Sequence, residues 1–164
     1  MSPWNRWILA AALLLPAGSA LADRGDVFFS LAPAADVFEP GIGGALGLQF
    51  GVNPETDLFM EANTTVGDPA TDDWNLESAF LFGSYYTPYS GEIRPRLGGS
   101  VGVLYHEEDD APEAGINFGV HLQGLFDVSD GMRLFAEIHP NATIGEEGEF
   151  TVLAKAGILF RLSK

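Results

Sequence analysis

The sequence predicts an eight-stranded antiparallel up-and-down β-barrel, and three observations carry that prediction. Segments of about 9–14 residues alternate apolar and polar side chains with period two, the signature of a strand with two different faces. The 20 glycines and 10 prolines fall mostly between those segments or on one of their faces. The connections alternate between compact turns and longer acidic stretches. No segment keeps a 3.6-residue period, and no longer repeat is present beyond the strand–turn rhythm.

The strands are expected at 26–34, 42–52, 58–67, 76–87, 94–105, 115–128, 132–142 and 150–162. In 42–52, Leu46, Leu48, Phe50 and Val52 oppose Ala45, Gly47, Gln49 and Gly51. In 94–105, Leu97, Val101, Val103 and Tyr105 oppose Arg96, Gly98, Ser100 and Gly102. The pattern is clearest in 115–128, where Ile116, Phe118, Val120, Leu122, Phe126 and Val128 oppose Asn117, Gly119, His121, Gln123 and Asp127. In 132–142, Met132, Leu134, Ala136 and Ile138 oppose Arg133, Glu137, His139 and Asn141. In 150–162, Phe150, Val152, Ala154, Ala156, Ile158, Phe160 and Leu162 oppose Thr151, Lys155, Gly157 and Arg161. Residues 53–57, 89–92 and 129–131 hold the Asn, Pro, Ser, Asp and Gly that compact turns use. The connections at 35–41, 68–75, 107–115 and 143–149 are mostly longer and rich in Asp and Glu.

Residues 1–22 read as an export signal and stand outside the fold, leaving 23–164 as one domain. Arg6 is the basic start, 7–15 an unbroken apolar run, and Ala20-Leu21-Ala22 a small-x-small cleavage site. Nine apolar residues are too few for a spanning helix, which needs about 20. The chain carries 8 Lys and Arg against 23 Asp and Glu, a net charge of −15. That excludes nucleic acid, which requires basic patches. It also excludes docking on anionic headgroups by charge alone. There is no cysteine, so no disulfide staples the fold.

The two faces decide what surrounds the barrel. Only Asp26, Glu61, Glu77, Asp127 and Glu137 among the 23 acids fall within the expected strands. The face opposite the apolar one holds Gly47, Gly51, Gly98, Gly102, Gly119 and Gly157 where a water-facing surface would carry Lys, Glu and Thr. Glycine weakens a strand, so this number of glycines needs a reason. The interior of eight strands is barely wide enough for side chains, and small residues there make room for a few large polar ones. The apolar face therefore points outward to lipid, giving a transmembrane barrel of the bacterial outer membrane with both termini on the periplasmic side. Trp74, Tyr105 and Phe150 at one end and Phe50, Tyr85, Tyr86, Tyr89, Phe126 and Phe160 at the other are expected to form interfacial belts. The rival architecture is a soluble periplasmic barrel with its apolar face inward around a ligand.

Three stretches carry a family resemblance. They are 94–103 with its Pro95, Gly98 and Gly102, then 118–138 around the turn at Ser129-Asp130-Gly131, and the last strand from Gly157 to Leu162. Together they resemble the small outer-membrane barrels of the opacity-type and OmpX-like family. Members of that family serve as adhesins, membrane organisers or narrow pores. The resemblance implies a class of protein and no particular molecular task.

Hairpin arithmetic suggests what meets inside. A turn pairing Asp127 with Arg133 sets Gln123 opposite Glu137 and His121 opposite His139. A last connection centred near Glu146 sets Glu137 opposite Lys155 and Asn141 opposite Thr151. The expected lumen network is Glu61, Asn63, Arg96, His121, Gln123, Glu137, His139, Asn141, Lys155 and Arg161. Two His and a carboxylate have the chemistry of metal ligands, but the reading adopted is a paired polar plug with no catalytic residue, cofactor or metal. Lipid A-modifying hydrolases of this size carry His-x-Ser-Asn on a late strand; His139-Pro140-Asn141-Ala142 lacks the serine, and so the nucleophile. The acidic run His106 to Asp110 lacks the spacing and glycine of a calcium loop. The expected function is structural, adhesive or surface-interactive through acidic outer loops. The expected partners are outer-membrane lipid and lipopolysaccharide, and an extracellular protein or surface ligand; the barrel is expected to be monomeric. A narrow pore, a lipid A-modifying hydrolase and a soluble ligand-binding barrel are the alternatives.

Overall fold

The computed structural model describes residues 25–163 apart from 39–40, 54, 68–75, 89–91, 109–110 and 146–147. The proposed export signal, Trp74 and Tyr89 lie outside the described residues. Among those described, eight strands follow in chain order: β1 Val27–Asp36, β2 Ile42–Asn53, β3 Thr56–Val66, β4 Leu76–Tyr86, β5 Ile93–Glu108, β6 Ala111–Ser129, β7 Met132–Ile144 and β8 Glu149–Ser163. Each pairs antiparallel with the next, and β1 pairs with β8, closing the barrel. Closure leaves no unpaired strand edge. No helix among the described residues is long and apolar enough to cross a membrane, which says nothing against crossing by strands.

The two faces point as their alternation predicts. Leu31, Leu46, Phe80, Phe82, Leu97, Val101, Phe118, Val120, Leu122, Leu134 and Ile138 are all exposed on the outer surface. Glu61, Asn63, Arg96, Asn117, His121, Gln123, Glu137, His139, Asn141 and Lys155 are buried inside. An outer wall of this kind is not that of a soluble barrel with its apolar face inward.

The interior departs from a purely polar filling. Phe28, Leu125, Phe135 and Leu159 form one buried apolar cluster with Ala32 and Ala45, and Phe59, Leu81, Tyr85 and Leu104 form another with Ala79. Tyr85, expected in an interfacial belt, is inside and 2% exposed, whereas Tyr86 points outward. The register explains it: Tyr85 pairs with Asp57 and Gly98, both inward positions, and Gly98 leaves the space its ring fills.

Two further expectations are corrected. The stretch 107–115 is not a long loop, because β5 and β6 continue as a ladder through His106↔Glu113 and on to Glu108↔Ala111. Backbone pairing needs no apolar side chain, so a ladder can run on where the apolar alternation has stopped. Acids are also less excluded from strands than expected: Asp36, Asp57 and Glu113 fall within them, and Asp57 bonds Arg96 in the interior. The ladder is interrupted between β6 and β7, passing from Gly119↔Asn141 to Leu122↔Ile138. Pro140 sits in this gap, lacking the N–H a ladder bond needs. The flanking pairs set His121 opposite His139 there.

Candidate functional site

The interior is crossed by side-chain bonds in three tiers. At the end carrying the compact turns, Arg94 and Arg133 reach Asp127 at 2.5 and 3.0 Å, and Arg161 reaches Asp26 at 2.9 Å. The Arg133 guanidinium lies 4.0 Å above the Phe28 ring, and that of Arg161 is 5.4 Å from it. Arg161 thus belongs to this end tier and stands apart from the buried network expected to include it.

The second tier centres on Arg96. Its guanidinium donates to Gln49 Oε1 at 3.0 Å and Gln123 Oε1 at 2.8 Å, bonds Asp57, and stacks 4.1 Å over the Tyr85 ring. These partners sit on β2, β6, β3 and β4, so one side chain ties strands across the barrel.

The third tier centres on Glu137. Its Oε1 is 2.6 Å from Lys155 Nζ and 2.9 Å from His121 Nδ1. Its Oε2 accepts from Tyr85 Oη at 2.5 Å and Gln123 Nε2 at 2.7 Å. Lys155 Nζ also donates to Glu61 Oε1 on β3 at 2.5 Å. His121 Nε2 shares a hydrogen bond with Ser100 Oγ at 2.8 Å. A buried carboxylate needs this density of partners, because an unpaired ion in such a site costs several kcal/mol.

Beyond Glu137 lie several amide side chains. Asn117 Nδ2 donates to Asn141 Oδ1 at 2.7 Å and to Thr143 Oγ1 at 3.0 Å, and Asn63 Nδ2 donates to Glu61 Oε1 at 3.4 Å. His139 stacks on His121, centroids 3.8 Å apart and planes 19° from parallel, with neither ring nitrogen hydrogen-bonded. The donor atoms of His121, Glu137 and His139 lie within 4.8 Å of one another.

Glu61, Asn63, Arg96, His121, Gln123, Glu137, His139, Asn141 and Lys155 therefore meet in one buried interior. Sequence reasoning does not single out Gln49, Asp57, Tyr85, Ser100 or Asn117. The parity of their strands marks Gln49, Ser100 and Asn117, which stand on the polar faces. Asp57 stands in a stretch of turn composition and Tyr85 at an expected belt, and only the register across β3, β4 and β5 places them inside.

The buried position of His139 also bears on the hydrolase alternative. The residue after it is Pro140, no serine stands beside it in the sequence, and its ring faces away from the apolar outer wall. The bonds of the Arg96 and Glu137 tiers run across the path that a polar channel would need.

No family model matches the sequence, and no curated protein matches it. Solved structures do match in fold. The Neisserial surface protein A (NspA) aligns with a TM-score of 0.68 at 13% identity, covering 84% of this chain and 95% of its own. A major outer membrane protein of Thermus thermophilus aligns at 0.63 with 9% identity, covering 85% and 100%. Ail, the attachment invasion locus protein of Yersinia pestis, aligns at 0.51 with 11% identity, covering 84% and 99%. At such identities the likeness is one of architecture, and the fold of this chain is the eight-stranded closed barrel of small outer-membrane proteins.

Proposed function

We propose that this chain is an outer-membrane barrel with a closed lumen, acting as a structural or surface-interaction element through its acidic outer connections. The observation that carries the reading is the pairing of an apolar outer wall with an interior bonded across the barrel by Arg96, Glu137 and Lys155. The wall suits lipid and the interior opposes conduction. What remains free to meet a partner is the outer end of the barrel, its connections together with the strand ends that carry them, where Asp and Glu accumulate without a single Lys or Arg at 35–41, 68–75, 107–115 and 143–149. Lipid and lipopolysaccharide surround the wall in this reading, both termini face the periplasm, and the barrel is a monomer. No step of this role calls on catalysis. Ail, named for attachment and invasion, supports a surface role for a barrel of this shape.

Membrane fractionation followed by electrophoresis of boiled and unboiled samples tests the proposal. A barrel in the outer-membrane fraction that migrates differently when unboiled is expected. Recovery in the soluble periplasmic fraction would overturn it.

A further inference from the structure

His139 stands apart from the rest of the plug. It is 0% exposed, yet both ring nitrogens lack a hydrogen-bond partner. Buried polar atoms are nearly always paired, and an exception points to a bound water, an ion or a chemical role. The surrounding charge points to an ion. Glu61 and Glu137 share one ammonium, that of Lys155, while the nearby Arg96 is engaged with Asp57. The Glu137 tier thus sets two buried carboxylates against one ammonium.

We propose that His121, Glu137 and His139 form a site for one borderline divalent cation, of the zinc, nickel or copper(II) kind, inside the lumen. Imidazole with a single carboxylate suits these ions; calcium and magnesium prefer shells of oxygen. His121 Nδ1 and Glu137 Oε1 are 2.9 Å apart, close to the separation of about 3–3.5 Å that two atoms keep when they share a zinc ion at bond lengths near 2.1 Å. His139 is the movable third ligand. No hydrogen bond holds its ring, which lies nearly parallel to His121 and must turn to aim a nitrogen at the ion. Gly119 keeps the room open: a Cβ there would stand 2.1 Å from His139 Nε2 and 2.7 Å from Ser100 Oγ. Lys155 is the competing cation at Glu137, and it retains Glu61 at 2.5 Å when an ion takes its place. The site would bind β6 to β7 across the gap in their ladder at Pro140.

The test refolds the protein from urea into detergent micelles with zinc present, because the closed lumen would hinder later entry. Loosely held metal is displaced by excess calcium, gel filtration follows, and zinc per chain is measured. About one zinc per chain is expected, and less than about a tenth of that for His139→Phe, which keeps the stacked ring and removes both nitrogens. An unchanged shift between boiled and unboiled samples shows that the variant has folded; His139→Leu serves if it has not. Cobalt(II) loaded in the same way should show the visible spectrum of an imidazole-ligated ion in the wild type alone. Folded wild type free of zinc, or undiminished loading in folded His139→Phe, would overturn the proposal.

Discussion

Lys155 is the direct cross-strand partner of Glu137, and its Nζ stands 2.6 Å from Glu137 Oε1. The same ammonium reaches across the lumen to Glu61 at 2.5 Å. The two carboxylates are therefore unequal in their dependence on it. Glu137 has three other partners, whereas Glu61 has besides Lys155 only a 3.4 Å contact with Asn63 among the bonds described.

This inequality orders a mutant series. Lys155→Met strands two buried carboxylates and should cost about 3–5 kcal/mol. Glu137→Gln leaves Lys155 paired with Glu61 and should cost clearly less. A Lys155→Met, Glu61→Gln double variant should recover part of the loss. Urea unfolding in lipid vesicles measures all of them, and a double-mutant cycle isolates the coupling. Additive, small effects would show that these side chains are solvated.

The outer wall makes a separate prediction. Val120 on β6 is half exposed, and Ile158 on β8 pairs with Leu31 and Leu134 of the wall. Arginine at either position should cost about 2–4 kcal/mol in lipid, as charge near the bilayer midplane does. Arginine at Asp130, in the exposed turn, should leave stability unchanged, and unfolding midpoints in vesicles compare the three.

Two glycines separate close approach from mere flexibility. A Cβ on Gly102 would lie 2.1 Å from the Phe80 carbonyl oxygen and 2.9 Å from Leu81 Cα, which cannot move aside as a side chain can. Gly102→Ala should destabilise by about 1–3 kcal/mol. Gly124 has nothing within 4 Å, and Gly124→Ala should be neutral or stabilising by up to about 1 kcal/mol. The order of their unfolding midpoints checks the packing inside the barrel.

Planar bilayer recordings address the lumen. No stable conductance is expected, because Arg96 and Lys155 bond across the barrel at two levels. Reproducible single-channel steps from pure protein would show that these bonds open.

The fold was legible because its cause is local. In β6 the side chains of 116, 118, 120 and 122 face one way and those of 117, 119, 121 and 123 the other, and the two sets differ visibly in polarity. Neighbouring pairs were legible too: Gln123↔Glu137 and Glu137↔Lys155 follow from where a turn is centred. Contacts across the lumen were not. Glu61 and Lys155 are 94 residues apart, and only closure of the sheet and its stagger bring them together. Tyr85 misled because an aromatic near a strand end looks the same from the sequence whether it faces lipid or fills the space above Gly98. The unpartnered state of His139 was beyond sequence reading, since hairpin arithmetic finds a neighbour without showing whether the two can bond.

Which way the faces of the wall point can be measured directly, because the chain lacks cysteine. Single cysteines placed in turn at residues 116 to 123 of β6, labelled with a small fluorophore and refolded into vesicles containing brominated lipid, report contact with the acyl chains. Strong quenching at Ile116, Phe118, Val120 and Leu122, with little at Asn117, Gly119, His121 and Gln123, is the predicted result. Uniform quenching, or quenching of the second set instead of the first, would contradict a barrel whose apolar face meets lipid.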